Sequence, residues 1–212
     1  MSEAAEYWEN RYRENGRSWS GRANAALVRE ITGTAPGTAL DLGCGEGGDA
    51  LWLAHNGWSV TAVDIAPSAL SVGAGDAADG DDVTWVAADL AEWRPPTAYD
   101  LVTSHFLHSW VELPRERILR RGAAAVAPGG TLLIVGHAGA PSWAAASDGH
   151  HDVELPTAEE MYEALFLPGS GLASADWTVV TRAQIARPVT APDGTEGTID
   201  DSVLKLRRRD AR

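Results

Sequence analysis

The chain has 212 residues, 44% hydrophobic and 22% charged, values of a globular domain rather than a disordered or membrane-embedded one, and a length that can bury a core without metal or disulfide. Its formal net charge of −13 repels phosphate backbones and anionic membrane surfaces, which sets aside nucleic acid and membranes as partners. The single cysteine, Cys44, has no intrachain partner, so nothing calls for an oxidising compartment.

The acidic opening MSEAAEYWENRYRENG lacks the basic start and apolar run of a signal peptide, and no apolar run reaches the ~18 residues of a membrane span, so a cytoplasmic protein is expected. Residues 3–14 place Tyr7, Trp8 and Tyr12 near one helical face, and a second helix is expected over 24–31 with Ala26, Leu27 and Ile31 inward. The period then changes. TALDLG reads as a strand, GGDALWLAHNG as a helix stopped by Gly57, and SVTAVDI as a second strand. PSALSVGAGDAA is a weaker helix, because Gly73 and Gly75 each cost about 1 kcal/mol in a helix interior. Next come a strand in VTWVAADL, a strand in YDLVTSHF, a helix in ELPRERILRRGAAAVAPGG and a fifth strand, TLLIVGH. Alternation of this kind predicts a doubly wound α/β fold with a mostly parallel sheet covered on both faces.

Beyond His137 a polar stretch runs to about Leu155, followed by a helix over 158–166. The last strands, WTVVTRAQIARP and GTIDDSVLKLRRR, flank the turn signal Pro192-Asp193-Gly194 and should form an antiparallel hairpin at one sheet edge, bringing the sheet to seven strands. The basic cluster KLRRRDAR reads as a solvated chain end offsetting the acidic body, with a nucleic-acid tail as the alternative. A single domain is expected: an arm (1–33), a βα core (38–137) and a final part (138–212). A monomer is the starting expectation, with an exposed Trp or the last strand at the sheet edge as the place for a dimer.

In a doubly wound sheet the ligand sits beyond the carboxyl ends of the strands, where the strand order reverses. The first strand ends in Asp41, just ahead of Gly43-Cys44-Gly45-Glu46-Gly47-Gly48, a GxGxxG pattern. A carboxylate there is a poor companion for pyrophosphate and a good one for a cation. The second strand ends in Asp64, 19 residues after Gly45, where an acid that accepts from both ribose hydroxyls belongs. The third ends in AADLAEW, whose Asp89 can accept from an adenine amino group while Leu90 packs on the ring; capping a helix is the alternative for Asp89.

Together LDLGCGEG, AVDIA, AADLAEW, YDLVTSHFLH and APGGTLLIVGH, in this order and before a late hairpin, resemble the class I S-adenosylmethionine-dependent methyltransferases over nearly the whole chain. The resemblance implies that Asp41, Gly43, Cys44, Gly45 and Gly47 line the methionine side, Asp64 and Ile65 the ribose, and Asp89 and Leu90 the adenine, with S-adenosylhomocysteine as product. The segment YWENRYRENGRSWSGRANAAL looks like the aromatic arm of the tellurite-resistance and thiopurine methyltransferase-like group, implying a lid contact by Trp19. PSALSVGAGDAADGDD is shorter and richer in glycine than that group's helix, which puts the packing of strand two on strand three in question.

Methyl transfer from a sulfonium needs chiefly alignment and exclusion of water. A thiolate, arsenite, tellurite or halide acceptor needs little more, whereas a hydroxyl or amine benefits from a base, for which His105 stands first, then His108 and His137. The acceptor is expected to be a small molecule, with residues 138–155 shaping its pocket. His150, His151 and Asp152 lack the spacing that pins zinc ligands on one element, so no metal is expected. Two alternatives stand beside this reading: a protein that keeps the cofactor site without methylating, and an NAD-dependent oxidoreductase, which Asp41 and the lack of a YxxxK pair disfavour.

Overall fold

A computed structural model describes residues 2–143, 155–191 and 193–210. Two helices, α1 (Glu3–Asn15) and α2 (Ala25–Ile31), precede the alternating part: β1 (Thr38–Leu42), α3 (Gly48–His55), β2 (Ser59–Asp64), α4 (Pro67–Asp76), β3 (Val83–Ala87), β4 (Tyr99–His105), α5 (Arg115–Ala124) and β5 (Val126–His137). Then follow α6 (Ala158–Leu165), β6 (Trp177–Thr190) and β7 (Glu196–Arg208). The seven strands form one sheet in the order β3-β2-β1-β4-β5-β7-β6. Strands β1 to β5 pair in parallel, and β7 is antiparallel to both β5 and β6. The order reverses between β1 and β4, which is where a doubly wound sheet opens a crevice.

Period-2 alternation sorts the central strands onto two cores. Leu40, Leu42, Leu132 and Ile134 face one side with Ile118 and Leu119 of α5 and Met161 and Leu165 of α6. Ala39, Leu133 and Val135 face the other with Leu27 and Ile31 of α2 and Leu53 of α3. Both faces are covered, so these strands read as continuous apolar runs. Asn24 caps α2, its side chain accepting from the Ala26 N–H, and Ala26, Leu27 and Ile31 are buried as expected.

The chain departs from expectation in four places. β5 starts at Val126, not at Thr131, because Val126 pairs with Tyr99 and a register shift absorbs the residues before Thr131 pairs with Leu101. The last strand, β7, is not an edge: it inserts between β5 and β6, burying Val203, Leu204 and Leu206, and the half-exposed β6 takes the edge. KLRRRDAR is therefore no solvated chain end over its first residues. Lys205 Nζ donates to the Glu30 carbonyl, and Arg208 donates to the Val126 carbonyl, each fastening β7 to a neighbouring element. Finally, the glycine-rich α4 packs closely on β3. A Cβ on Gly73 would lie 2.5 Å from Trp85 Cη2, so the residue that weakens the helix lets the edge of that indole reach between α4 and the loop after β1. The histidines at 150 and 151 and Asp152 lie outside the described residues.

Candidate active site

Strand ends build the site. Asp41 lies in β1, Asp64 ends β2, Asp89 follows β3, His105 ends β4 and His137 ends β5, and all five line one cavity of about 1820 Å³. Gly43, Cys44, Gly45 and Gly47 of the loop after β1, Ile65 and Leu90 after the next strands, Trp19 of the arm and His108 after β4 also line it. The residues the sequence assigned to the cofactor, with His105, His108 and His137, thus line one cavity.

The loop after β1 is tied to β2. The N–H groups of Gly43 and Cys44 donate to the Val63 carbonyl at 2.9 and 3.1 Å. Asp64 Oδ2 accepts from the Gly45 N–H at 2.8 Å, and its Oδ1 accepts from the Ala66 N–H at 3.0 Å. Burial raises the Asp64 pKa above the usual carboxylate value against the pull of these backbone donors. Gly45 has φ 53, and a Cβ there would sit 2.9 Å from the Tyr12 hydroxyl, so only glycine lets the arm close over the loop.

Asp41 is 2% exposed, and its Oδ2 has no hydrogen-bond partner among the described residues. Burial, then the carboxylate of Asp49, raises its pKa to about 7, with His105 pulling the other way and Asp64 adding repulsion. Asp49, in the first turn of α3, was missed in the sequence, where it read only as a helix residue after two glycines. Its Oδ2 lies 2.9 Å from His105 Nδ1, and its Oδ1 accepts from the Asn24 N–H at 2.6 Å. Burial opposes the charge on His105, but Asp49 and Asp41 raise its pKa, and the same imidazole lowers that of Asp49 against its own burial. Thr103 Oγ1 also lies 3.2 Å from His105 Nδ1. His105 is therefore a paired, buried group at the back of the cavity.

The other histidines differ. His108 Nε2 accepts from the His137 N–H at 3.2 Å, and burial, Arg115 and His137 lower its pKa to about 4. His137 Nδ1 lies 3.3 Å from Asp201 Oδ1, a β7 residue for which no local sequence signal existed. Cys44 stays a thiol: burial and the Asp64 and Asp41 carboxylates push its pKa well up.

The arm lies across the cavity. Trp8 Nε1 donates to Ser109 Oγ at 3.2 Å, and Trp19 Nε1 to the Tyr12 hydroxyl at 3.3 Å. Glu46, 3% exposed, accepts from the N–H groups of Ser18 at 2.6 Å and Trp19 at 3.0 Å, a clamp that the sequence did not announce. Ser2 Oγ donates to Asp89 Oδ2 at 3.0 Å while Asp89 Oδ1 accepts from the Ala91 N–H at 2.9 Å, so Asp89 both caps its own turn and meets the arm. Among the described residues, no group of three His, Cys, Asp or Glu side chains is placed to hold a metal ion.

This strand order, with a glycine loop after β1 and an acid closing β2, is the class I methyltransferase fold. Residues 39–130 match the family described as methyltransferase domain. The chain is 32% identical over 150 residues to the 2-heptyl-1-hydroxyquinolin-4(1H)-one methyltransferase of Mycobacteroides abscessus, the match covering 68% of this chain and 65% of that one. It thus spans somewhat under two thirds of that relative's length. Among solved structures, the N-methyltransferase NodS of Bradyrhizobium japonicum in complex with S-adenosyl-L-homocysteine superposes with a TM-score of 0.68 at 18% identity, over 97% of this chain and 99% of that one. TehB of Haemophilus influenzae gives 0.67 at 18% identity, over 95% and 67%. Residues 39–130 thus match a methyltransferase domain, and the chain shares its fold with S-adenosylmethionine-dependent methyltransferases.

Proposed function

We propose that the chain transfers a methyl group from S-adenosylmethionine to a small-molecule acceptor. One observation carries the reading: three carboxylates, Asp41, Asp64 and Asp89, stand at the ends of neighbouring parallel strands around one cavity, and the most buried of them keeps an oxygen without a partner among the described residues. An anionic floor of this kind suits an ammonium and a diol, and it repels the pyrophosphate of a dinucleotide. The group therefore fits the residues present. Asp41 and the loop from Gly43 to Gly47 would hold its methionine end, Asp64 and Ile65 the ribose, and Asp89 and Leu90 the adenine. When bound it supplies an activated methyl group on a sulfonium.

The chain's own contribution is alignment and dryness. Orientation of two reactants is worth about 7–11 kcal/mol in favourable cases. Tyr12, Trp8 and Trp19 of the arm, held by Glu46 and Ser109, close the cavity from above and act as the lid. The relative from M. abscessus is named for a hydroxyquinolone, which supports a small organic acceptor. The same reading takes the chain as a single-domain cytoplasmic monomer with neither nucleic acid nor membrane as partner. The net charge of −13 supports the exclusion of nucleic acid and anionic membranes, and among the described residues no helix is long and apolar enough to cross a membrane.

Titration calorimetry with S-adenosylmethionine and S-adenosylhomocysteine tests the proposal. Heat of binding is expected for both. Its absence at about 1 mM, where even a site of roughly −4 kcal/mol registers, would overturn the reading.

A further inference from the structure

The methyl-donor half of the cavity makes no use of a second constellation, at the carboxyl end of β5. His137 stands opposite Asp201 in the β5–β7 register, and Arg187 reaches the same carboxylate from β6. Asp201 is 3% exposed and accepts on both oxygens, from Arg187 Nε at 2.6 Å on Oδ2 and facing His137 Nδ1 at 3.3 Å on Oδ1. A carboxylate bound to a guanidinium has no proton to give, so the hydrogen between Asp201 and His137 resides on Nδ1. In the neutral ring Nε2 then keeps its lone pair, and no described residue forms a hydrogen bond with it. The side chain of His137 remains 33% exposed and lines the cavity.

The ring is also fixed in place. Phe106 stacks on His137 with centroids 4.2 Å apart, and the His108 ring lies nearly parallel to it at 5.7 Å. Phe106 has φ 51, the one non-glycine positive φ among the described residues, a conformation a bulky side chain keeps only where its surroundings impose it. The Arg187 guanidinium, 5.8 Å above the Phe106 ring, and the His137 stack are those surroundings.

We propose that His137 is the general base for a planar, hydroxylated acceptor such as a phenol, enol or N-hydroxy heteroaromatic, with Asp201 and Arg187 as positioning residues and the Phe106 and His108 rings forming a wall of the acceptor pocket. The proposal rests on the methyl-transfer reading above. The acceptor hydroxyl gives its proton to His137 Nε2 while an oxygen lone pair forms the new C–O bond. The electron pair of the breaking C–S bond returns to sulfur. Asp201 then faces an imidazolium. The groups around that charge are Asp201 of β7 and Arg187 of β6, His108 after β4, and Arg115 of α5, which lies beside Gly136 and His108.

The test uses the full chain. With ¹⁵N-labelled histidine at pH 8, NMR is expected to show the His137 hydrogen on Nδ1. Asp201→Asn keeps an oxygen toward Arg187 and turns its amide toward Nδ1, which moves the hydrogen to Nε2. Transfer from labelled S-adenosylmethionine to 1-hydroxyquinolin-4(1H)-one and 2-naphthol is expected to fall by about 10²–10⁴ in kcat for Asp201→Asn and His137→Gln, with the rising limb of the pH profile lost. Transfer to iodide, which brings no proton, should fall far less than transfer to the hydroxylated probes. A wild-type ring with its hydrogen on Nε2 overturns the proposal whatever the acceptor. So does a His137→Gln kcat within about threefold of wild type, or transfer to neither hydroxylated probe. S-adenosylhomocysteine binding, measured alongside, separates these failures from failure of the methyl-transfer reading.

Discussion

Asp49 Oδ2 lies 2.9 Å from His105 Nδ1, joining the first turn of α3 to the end of β4 where both line the cavity. The pair is buried, with side-chain exposures of 15% and 4%, and Asp41 is the third charge beside it. Asp49→Asn takes the charged partner from the imidazole, leaving Thr103 beside it, and should cost about 1–3 kcal/mol. The loss depends on pH. His105 has its pKa raised by folding, so its stabilisation is full below the unfolded value near 6.5 and fades as pH rises through the higher folded value. Asp49 has its pKa lowered, so its part is present above about 4 and fades in acid. Chemical denaturation at pH 6 and pH 9 should show the larger effect of Asp49→Asn at pH 6.

Asp41 runs the other way. Its folded pKa of about 7 exceeds the unfolded value near 3.8, so the folded chain binds more protons over that interval and this group's contribution falls as pH rises through it. Asp41→Asn removes the buried charge and is expected to raise Tm at pH 8 while leaving it nearly unchanged at pH 4. The same substitution should weaken S-adenosylmethionine binding by about tenfold or more, because a charge-assisted contact is worth about 1.5–3 kcal/mol. In the wild-type chain, ligand affinity should rise from pH 6 to pH 8 as the ammonium finds an ionised partner. Melting curves and calorimetry at the two pH values check both statements.

Asp64 holds the loop by accepting from Gly45 and Ala66, and under the proposed function it also holds the ribose. Asp64→Ala should therefore weaken S-adenosylhomocysteine binding by about 1.5–3 kcal/mol. Unchanged affinity by calorimetry would refute its assignment to the ribose.

Glu46 accepts two backbone N–H groups of the arm from a buried position. Glu46→Ala strands those donors and should loosen residues 16–24 at a cost of about 1–3 kcal/mol. Faster hydrogen exchange and proteolysis confined to the arm are expected, with faster release of S-adenosylhomocysteine by stopped flow.

Two glycines of α4 should respond with opposite signs. Gly75→Ala meets nothing within 4 Å and gains helix propensity, for a stabilisation of about 0.5–1 kcal/mol. Gly73→Ala gains the same propensity but drives a methyl into Trp85, overpacking that costs about 1–3 kcal/mol. Urea midpoints should move apart accordingly.

Much of the floor was legible in advance because its signals are local. Asp41, Gly43 and Gly45 lie within five residues, and Asp64 follows one crossover later, so strand-loop-helix chemistry declares them without any knowledge of packing. Gly73 was legible only as a defect, since helix propensity counts its cost and not the indole above it. His105 could be placed at a strand end, but its partner Asp49 lies 56 residues earlier on another element. No periodicity connects them.

By itself the amino-acid sequence determined the alternation of strands and helices, and with it a parallel sheet whose carboxyl ends carry a glycine loop and a row of acids. Periods of 2.0 and 3.6 residues and short turn motifs suffice for that, being properties of neighbouring residues. Tertiary structure alone decided that β7 lies inside the sheet, that the arm closes on Glu46, and that His137, rather than His105 or His108, faces Asp201 with one ring nitrogen left over. The placing of β7 and the pairing of His137 with Asp201 depend on register between strands 64 residues apart, which hydrogen bonding and core burial set together once the whole sheet has formed.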